Sequence, residues 1–335
     1  MTRRTLAGWM GSGAIVVLLM AAPFFLSSSM VFRLGAAATA ALLALSFNLL
    51  FHSLGLVSFG HAGFFAIGGY GIGILMQRGL SWPVALLAAV VLGGVVGVLF
   101  GSFALRISGI FFSILTLAAT EIVHIVAMQW TSVTGGENGL YGVAAGTVLG
   151  LDLDNSITYY WVLIVLVALG ALALKLVRYS RMGRTFRAIR EDATRAEYLG
   201  VPVHRYRVTA FTISASAATF AGALYAPLIG LMAPADAGWQ RSAEPLLSTL
   251  IGGSAAFLGP ALGAALFALI EFALADLSSV RSILTGLILL AVIFVAPGGI
   301  TGSLRRLRPT GARRGRETDA TSDPATSDST PGGRR

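Results

Sequence analysis

The chain has 335 residues, of which 56% are hydrophobic and 12% charged, about half the charge of a typical soluble domain. A mean hydropathy of +0.80 and recurring apolar runs of about 20 residues, enough to cross the hydrocarbon of a bilayer, predict an all-α polytopic transmembrane bundle; the alternating pattern of a β-barrel is absent. The net charge of +9 comes almost entirely from arginines in loops and the tail, a topology-setting pattern rather than a nucleic-acid surface, and with no cysteine there is no disulfide, thiolate nucleophile or cysteine-ligated metal.

The N-terminus, MTRRTLAGWMGSGAIVVLLMAAPFFLSSS, has the basic start and apolar run of a signal peptide. The run is long and similar segments follow it, so an uncleaved first span at about 8–27 is expected. Further spans fall at about 31–51, 54–76, 82–104, 107–129 and 159–177. Asn48, His52 and His61 form a polar set around the second and third of these. His61 stands in SFGHAGFF, where small residues permit a broken helix whose ends suit a zwitterion; packing would serve His61 equally well. GGYGIG at 68–73 lacks the strand and soluble helix of a nucleotide fingerprint. With Gly93, Gly97, Gly101, Gly259 and Gly263 it supplies small residues four apart, which allow close helix packing in lipid.

Glu121 and His124 share one face of the fifth span, and ionisable groups in a span face protein or a water-filled path. A Glu-x-x-His pair also serves di-iron bundles, but no second pair occurs. No metal site is therefore expected, and Asn48, His61, Glu121 and His124 are the candidates for a substrate path. In TGGENGLYG (134–142), Gly135 and Gly136 suit tight turns, while Glu137 and Asn138 can hydrogen-bond outward. This outer loop is either a plain connector or a docking surface.

GRTFRAIREDATRAEYLGV (183–201) is the densest run of charge. Phe186, Ile189, Ala193, Ala196 and Leu199 follow helical spacing. Arg187, Glu191 and Arg195 stand four apart on another face, each pair worth about 0.2–0.5 kcal/mol. Gly200 suits the left-handed residue beyond a helix end, and Pro202 blocks continuation. One capped amphipathic helix of three to four turns is expected, its alanine-rich face fitting a protein groove better than lipid headgroups.

Later spans are expected at about 208–232, 245–258, 260–276 and 281–297, with Gly259-Pro260 breaking the middle pair. Placing Arg3, Arg4, the 178–207 loop, Arg305, Arg306 and Arg308 in the cytoplasm requires ten spans, six before the loop and four after it, with both termini inside. Glu271 and Asp276 then lie near an outer boundary and receive no role. Residues 1–300 form the transmembrane domain, and 301–335, polar and rich in Pro and Gly, read as a disordered cytoplasmic tail.

The stretch 183–226 closely resembles the cytoplasmic loop and following helix of LivM-type permease subunits of branched-chain amino acid ABC importers. The resemblance extends to SFGHAGFFAIGGY (58–70), TGGENGL (134–140) and LIGGSAAFLGPALGAAL (250–266), in family order across roughly residues 40–300. It departs at Ala193, where the family often has a second acid, and at HSLGL (52–56), where a glycine-rich segment is more usual. It implies an inner-membrane importer subunit whose cytoplasmic coupling helix inserts into an ATPase, a role carried onto Arg187, Ile189, Arg190, Glu191, Asp192, Ala196, Leu199 and Gly200. The partners it implies are the lipid bilayer, a second permease in a heterodimer, two ATP-binding cassette subunits and an external solute-binding protein docking near Gly135, Gly136, Glu137 and Asn138. The cargo it implies is a branched-chain amino acid, with urea, a short amide or another small organic solute as alternatives. No phosphate loop with its lysine occurs, so this chain is expected to hold no cofactor and to perform no chemistry, ATP binding to partner subunits. An ion-coupled secondary transporter and an intramembrane enzyme are the rival classes. The first calls for symmetric halves and midplane charge, the second for a complete set of reacting groups; the sequence displays neither.

Overall fold

The computed structural model describes residues 13, 15–148, 150–274, 281–295 and 299–306. Arg3, Arg4, Asp276, Arg308 and the expected tail from residue 307 lie outside the described residues. After a short apolar helix (Ile15–Phe24), the helices in chain order are α1 (Ser28–Leu54), α2 (His61–Gln77), α3 (Trp82–Ala104), α4 (Ile110–Gln129) and α5 (Ser156–Tyr179). There follow α6 (Arg181–Glu191), α7 (Ala193–Tyr198), α8 (Val203–Ile229), α9 (Trp239–Gly252), α10 (Gly259–Ala273), α11 (Arg281–Val295) and α12 (Gly299–Arg306). Of these, α1, α3, α4, α5 and α8 are each long and apolar enough to cross a bilayer.

α8 lies at the centre, against α1, α2 and α3. Its approach to α2 is backbone to backbone: a Cβ on Gly68 would sit 1.9 Å from the Thr219 carbonyl oxygen, and one on Gly222 1.8 Å from that of Phe65. Along α3, Gly93, Gly97 and Gly101 meet Thr219, Ala215 and Phe211 of α8, the close packing their spacing predicts. The outward faces of α3 and α4 carry exposed Val84, Leu87, Val91, Leu99, Ile110, Ile114 and Ile122. An apolar belt of this extent suits lipid rather than water.

The connections gather at two ends. At one, β1 (Leu140–Tyr141) pairs antiparallel with a strand at Leu231–Met232, Gln77 Nε2 donates to the Tyr141 carbonyl, and His124 Nδ1 lies 2.8 Å from the Pro234 carbonyl oxygen. At the opposite end lie the C-terminus of α1 and the arginine-rich α6 and α7, α6 packing on α1, α5 and α8.

Several expected boundaries move. Helix starts at His61, not near residue 54, because Gly55 at φ +71° ends α1 and residues 56–60 run without helix. The break near Gly259 divides two helices as expected, but α9 begins at Trp239, ahead of the expected 245. At 14 and 15 residues, α9 and α10 span only about 21–23 Å each, short of the roughly 30 Å hydrocarbon thickness. They cross tightly, a Cβ on Gly263 falling 1.9 Å from the Ser248 carbonyl oxygen. α12 continues helix to Arg306, past the expected start of the tail at 301.

Candidate functional site

The unwound segment 56–60 is threaded among helices, where its backbone polar groups need protein partners, since lipid supplies none. They find hydroxyls. Ser113 Oγ donates to the Val57 carbonyl at 2.7 Å, and Thr120 Oγ1 and Ser242 Oγ donate to that of Phe59 at 2.9 and 2.6 Å. Thr116 Oγ1 accepts from the Phe59 amide at 3.0 Å, and Ser242 Oγ accepts from that of Ala62 at 3.3 Å. α4 and α9 thus hold the entry to α2 in place.

His61, at the start of α2, is buried. Its Nδ1 lies 3.2 Å from the Ser58 carbonyl oxygen and its Nε2 2.9 Å from Ser214 Oγ, while Ser214 Oγ is 2.7 Å from the Ser46 carbonyl oxygen. A neutral ring protonated at Nδ1 donates to the Ser58 carbonyl and leaves Nε2 as an acceptor facing the Ser214 hydroxyl. Ser214 has a single proton, so Nε2 and the Ser46 carbonyl compete for it. The arrangement joins the unwound segment, α1 and α8 through one imidazole. Asn48, also buried, donates through Nδ2 to the Ser254 carbonyl at 3.3 Å.

Glu121 and His124 do share a face, and both reach the connection into α9. Glu121 Oε1 accepts from the Trp239 amide at 3.1 Å, at a helix start where the N-cap Gly238 offers no side chain. A carboxylate there both satisfies an orphan donor and complements the helix dipole. His124 meets the Pro234 carbonyl three residues before Ala237. The pair therefore staples α4 to the 234–239 segment, whereas Asn48 and His61 lie at a separate locus. In the same segment burial raises the Asp236 carboxyl above the usual carboxylate range, with Arg241 and the Ala233 amide opposing the shift.

Sequence reasoning left unread a charged cavity of about 280 Å³ between α1, α8, α9 and α10. Arg33, Arg241, Glu244 and Glu271 line it, alongside Leu43, Tyr225, Phe267 and several alanines. Arg241 Nη1 donates to Glu244 Oε2 at 2.8 Å. Its guanidinium carbon sits 5.0 Å from the Phe65 ring centroid and 5.3 Å from that of Tyr225. Buried Arg241 Nε has no hydrogen-bond partner among the described residues. The Arg33 guanidinium stacks over Phe272 at 4.3 Å. The available signal was Arg-x-x-Glu at 241–244, one helical turn apart, but a span drawn from 245 left both residues in a loop.

The arginine-rich end corrects the expected single helix. The chain breaks at Asp192, which is extended (φ −157°, ψ 100°) and caps α7, its Oδ1 accepting from the Arg195 amide at 2.9 Å. A side chain that can accept from the backbone competes with the helical ladder, and here the cap wins. Arg195 pairs with Asp192 at 3.8 Å, not with Glu191. The apolar face turns inward: Phe186, Ile189 and Ala196 are buried, and Phe186 meets the Tyr206 ring edge-on at 6.2 Å. The Arg190 guanidinium donates to the His52 carbonyl at the C-terminus of α1, and Arg178 Nη2 donates to that of Ala255 at 2.7 Å, in the α9–α10 break. Arg190, Glu191, Asp192, Leu199 and Gly200 are exposed, and Arg187 is half-buried. Tyr198 and Leu199 are 88% and 78% exposed, and Gly200 at φ +83° is the left-handed residue expected. At the other end, Gly135 and Gly136 take positive φ, leaving Glu137 and Asn138 exposed beside the α8–α9 connection.

Residues 29–297 match the family model for the permease component of branched-chain amino acid transport systems. The high-affinity branched-chain amino acid transport system permease protein LivM of Escherichia coli K12 is 29% identical over 311 residues, covering 86% of this chain and 73% of that protein. LivH of Salmonella typhimurium, named for the same transport system, is 25% identical over 286 residues, covering 79% and 91%. The autoinducer 2 import system permease protein LsrC of Escherichia coli DH10B is 29% identical over 249 residues, covering 70% and 69%. No solved structure matches the chain.

Proposed function

Because the chain belongs to the family of branched-chain amino acid transport permease components, we propose that it is one half of the membrane channel of an ATP-driven importer of branched-chain amino acids. In this reading ten helices embed in the bilayer, the arginine-rich end lies in the cytoplasm with both termini, and residues beyond about 300 form a cytoplasmic tail. A related second permease completes the pathway, as the similarity to both LivM and LivH supports. ATP binds to two partner ATPase subunits, and this chain contributes no cofactor chemistry. An external solute-binding protein docks beside exposed Glu137 and Asn138.

The observation that carries the proposal is the construction of the α6–α7 pair. It combines an exposed Tyr198–Leu199 tip with a rear face fixed to the bundle by Phe186 and Arg190, directly after the end of α5, whose Arg178 holds the α9–α10 break. Loose attachment would dissipate movement of the tip. Fixed attachment passes it to α1, to α8 and to the α9–α10 break, so closure of the ATPases tilts the helices that flank the path. Docking thus falls to Tyr198, Leu199 and the exposed polar residues around Asp192, while the alanine and phenylalanine face transmits.

The native chain has no cysteine, which permits a direct test in the full assembly. Leu199→Cys should crosslink to an ATPase subunit and react only with reagent on the cytoplasmic side, whereas Glu137→Cys should react only from outside. Labelling of position 199 from outside would overturn the orientation, and efficient labelling without any ATPase crosslink would overturn the docking role.

A further inference from the structure

We infer that the cavity between α1, α8, α9 and α10 binds the charged head of an α-amino acid, its carboxylate at Arg241 and its ammonium at Glu244. The inference rests on the importer reading and names the contacts that reading lacks. Arg33 stands in the second turn of α1, a helix long and apolar enough to span the bilayer, and Glu271 in the last turn of α10. Both stand within two turns of a helix end, where ionisable groups belong against protein or water, not lipid tails. A largely buried ion pair such as Arg241–Glu244, its side chains 18% and 26% exposed, is also a poor source of stability, since apolar residues often serve as well or better. Its retention calls for a use.

Arg241 has donors to give. It is bonded to Glu244 through Nη1, and its buried Nε has no hydrogen-bond partner among the described residues. The Phe65 and Tyr225 rings also steady the guanidinium. An incoming carboxylate is the ligand that a guanidinium with open donors recognises best. Glu244, held by the same guanidinium, is then placed to accept from an ammonium beside that carboxylate. Among the described residues the cavity wall carries two cations, Arg33 and Arg241, and two anions, Glu244 and Glu271. This balance matches a net-neutral zwitterion; a simple amine or acid would leave one sign unanswered. Leu43, Phe267 and the alanines give an aliphatic side chain an apolar wall. About 280 Å³ falls just below the roughly 300–1,000 Å³ of ligand pockets, room for one small solute.

The site is also tied, through Arg178, to the end of α5 from which α6 follows. α9 carries Arg241 and Glu244, its Ser242 hydroxyl holds the unwound segment before α2, and the break at its C-terminus is gripped by Arg178. Solute occupancy and ATPase movement therefore act on one short helix.

The test uses single cysteines on opposite walls, Ala40→Cys and Ala268→Cys, in the complete assembly in nanodiscs, with partner cysteines removed. Maleimide labelling is timed with no solute, with leucine, with 3-methylbutylamine, which lacks the carboxylate, and with 4-methylpentanoate, which lacks the ammonium. Leucine should slow labelling several-fold at both positions and the two analogues should not. Glu244→Gln should abolish the protection and Glu244→Asp retain part of it. The inference fails if leucine leaves both rates unchanged in an assembly that still imports leucine. It fails equally if all three solutes protect alike, or if both cysteines are unreactive without solute because a partner fills the space. An assembly that imports no leucine at all would instead overturn the importer reading.

Discussion

Two substitutions on the α6–α7 pair should fail in opposite ways. Phe186 is fully buried and lies edge-on to Tyr206. Phe186→Ala leaves a cavity behind the α6–α7 pair and should cost about 3–5 kcal/mol of stability, seen as a lowered melting temperature of the purified permease pair. Leu199 is 78% exposed, so Leu199→Ala should leave that temperature nearly unchanged, as surface changes typically stay within about 0.5 kcal/mol. Its loss appears on docking. Truncation removes three carbons, and at about 0.8 kcal/mol for each buried methylene an ATPase cleft that covers the tip forfeits about 2 kcal/mol. That is roughly thirtyfold in affinity. The assay is titration of purified ATPase onto the permease pair in nanodiscs, with melting followed on the same preparations. If Leu199→Ala binds the ATPase as wild type does, or if Phe186→Ala weakens binding with no loss of stability, the assignment of inward and outward faces is wrong.

Other outcomes follow from the same contacts. Gly68→Ala should destabilise the permease by about 1–3 kcal/mol or more, because its Cβ would lie 1.9 Å from the Thr219 carbonyl oxygen, whereas Gly71→Ala, with Ala89 Cβ at 3.5 Å, should be tolerated; thermal melts of the two variants distinguish them. Arg190→Ala should lower leucine imported per ATP hydrolysed, since it cuts the link from α6 to the C-terminus of α1, and a variant with unchanged stoichiometry would exclude that link from transmission.

The order of helices was legible because apolar runs of spanning length are hard to mistake, and the Gly259-Pro260 break was legible because proline cannot continue a helix. The break at 56–60 was not. Its residues are as apolar and small as those of a helix, and what permits it to stay extended is a set of hydroxyls on α4 and α9, remote in sequence. At 183–201 the periodicity gave an apolar face of which Phe186, Ile189 and Ala196 are buried while Leu199 is not, and periodicity does not say what covers it. Here α1, α5 and α8 do, leaving Tyr198 and Leu199 as the outward surface. The interruption at Asp192 turned on one carboxylate choosing the cap over the ladder. Glu121 and His124 were read as facing protein or a path, and their partners are main-chain groups at 234 and 239, which side-chain spacing does not reveal. The cavity at Arg241 and Glu244 was hidden because its walls come from four helices and only one turn of one of them looked unusual.

The central claim is that this chain moves amino acid only under the drive of partner ATPases. The complete assembly, reconstituted in proteoliposomes with ATP on the ATPase side and leucine-loaded binding protein on the other, tests it through uptake of labelled leucine. The account predicts uptake that requires hydrolysable ATP and stops when the ATPase is inactivated, regardless of imposed proton or sodium gradients. Uptake that continues without ATPase activity and follows an ion gradient would contradict it.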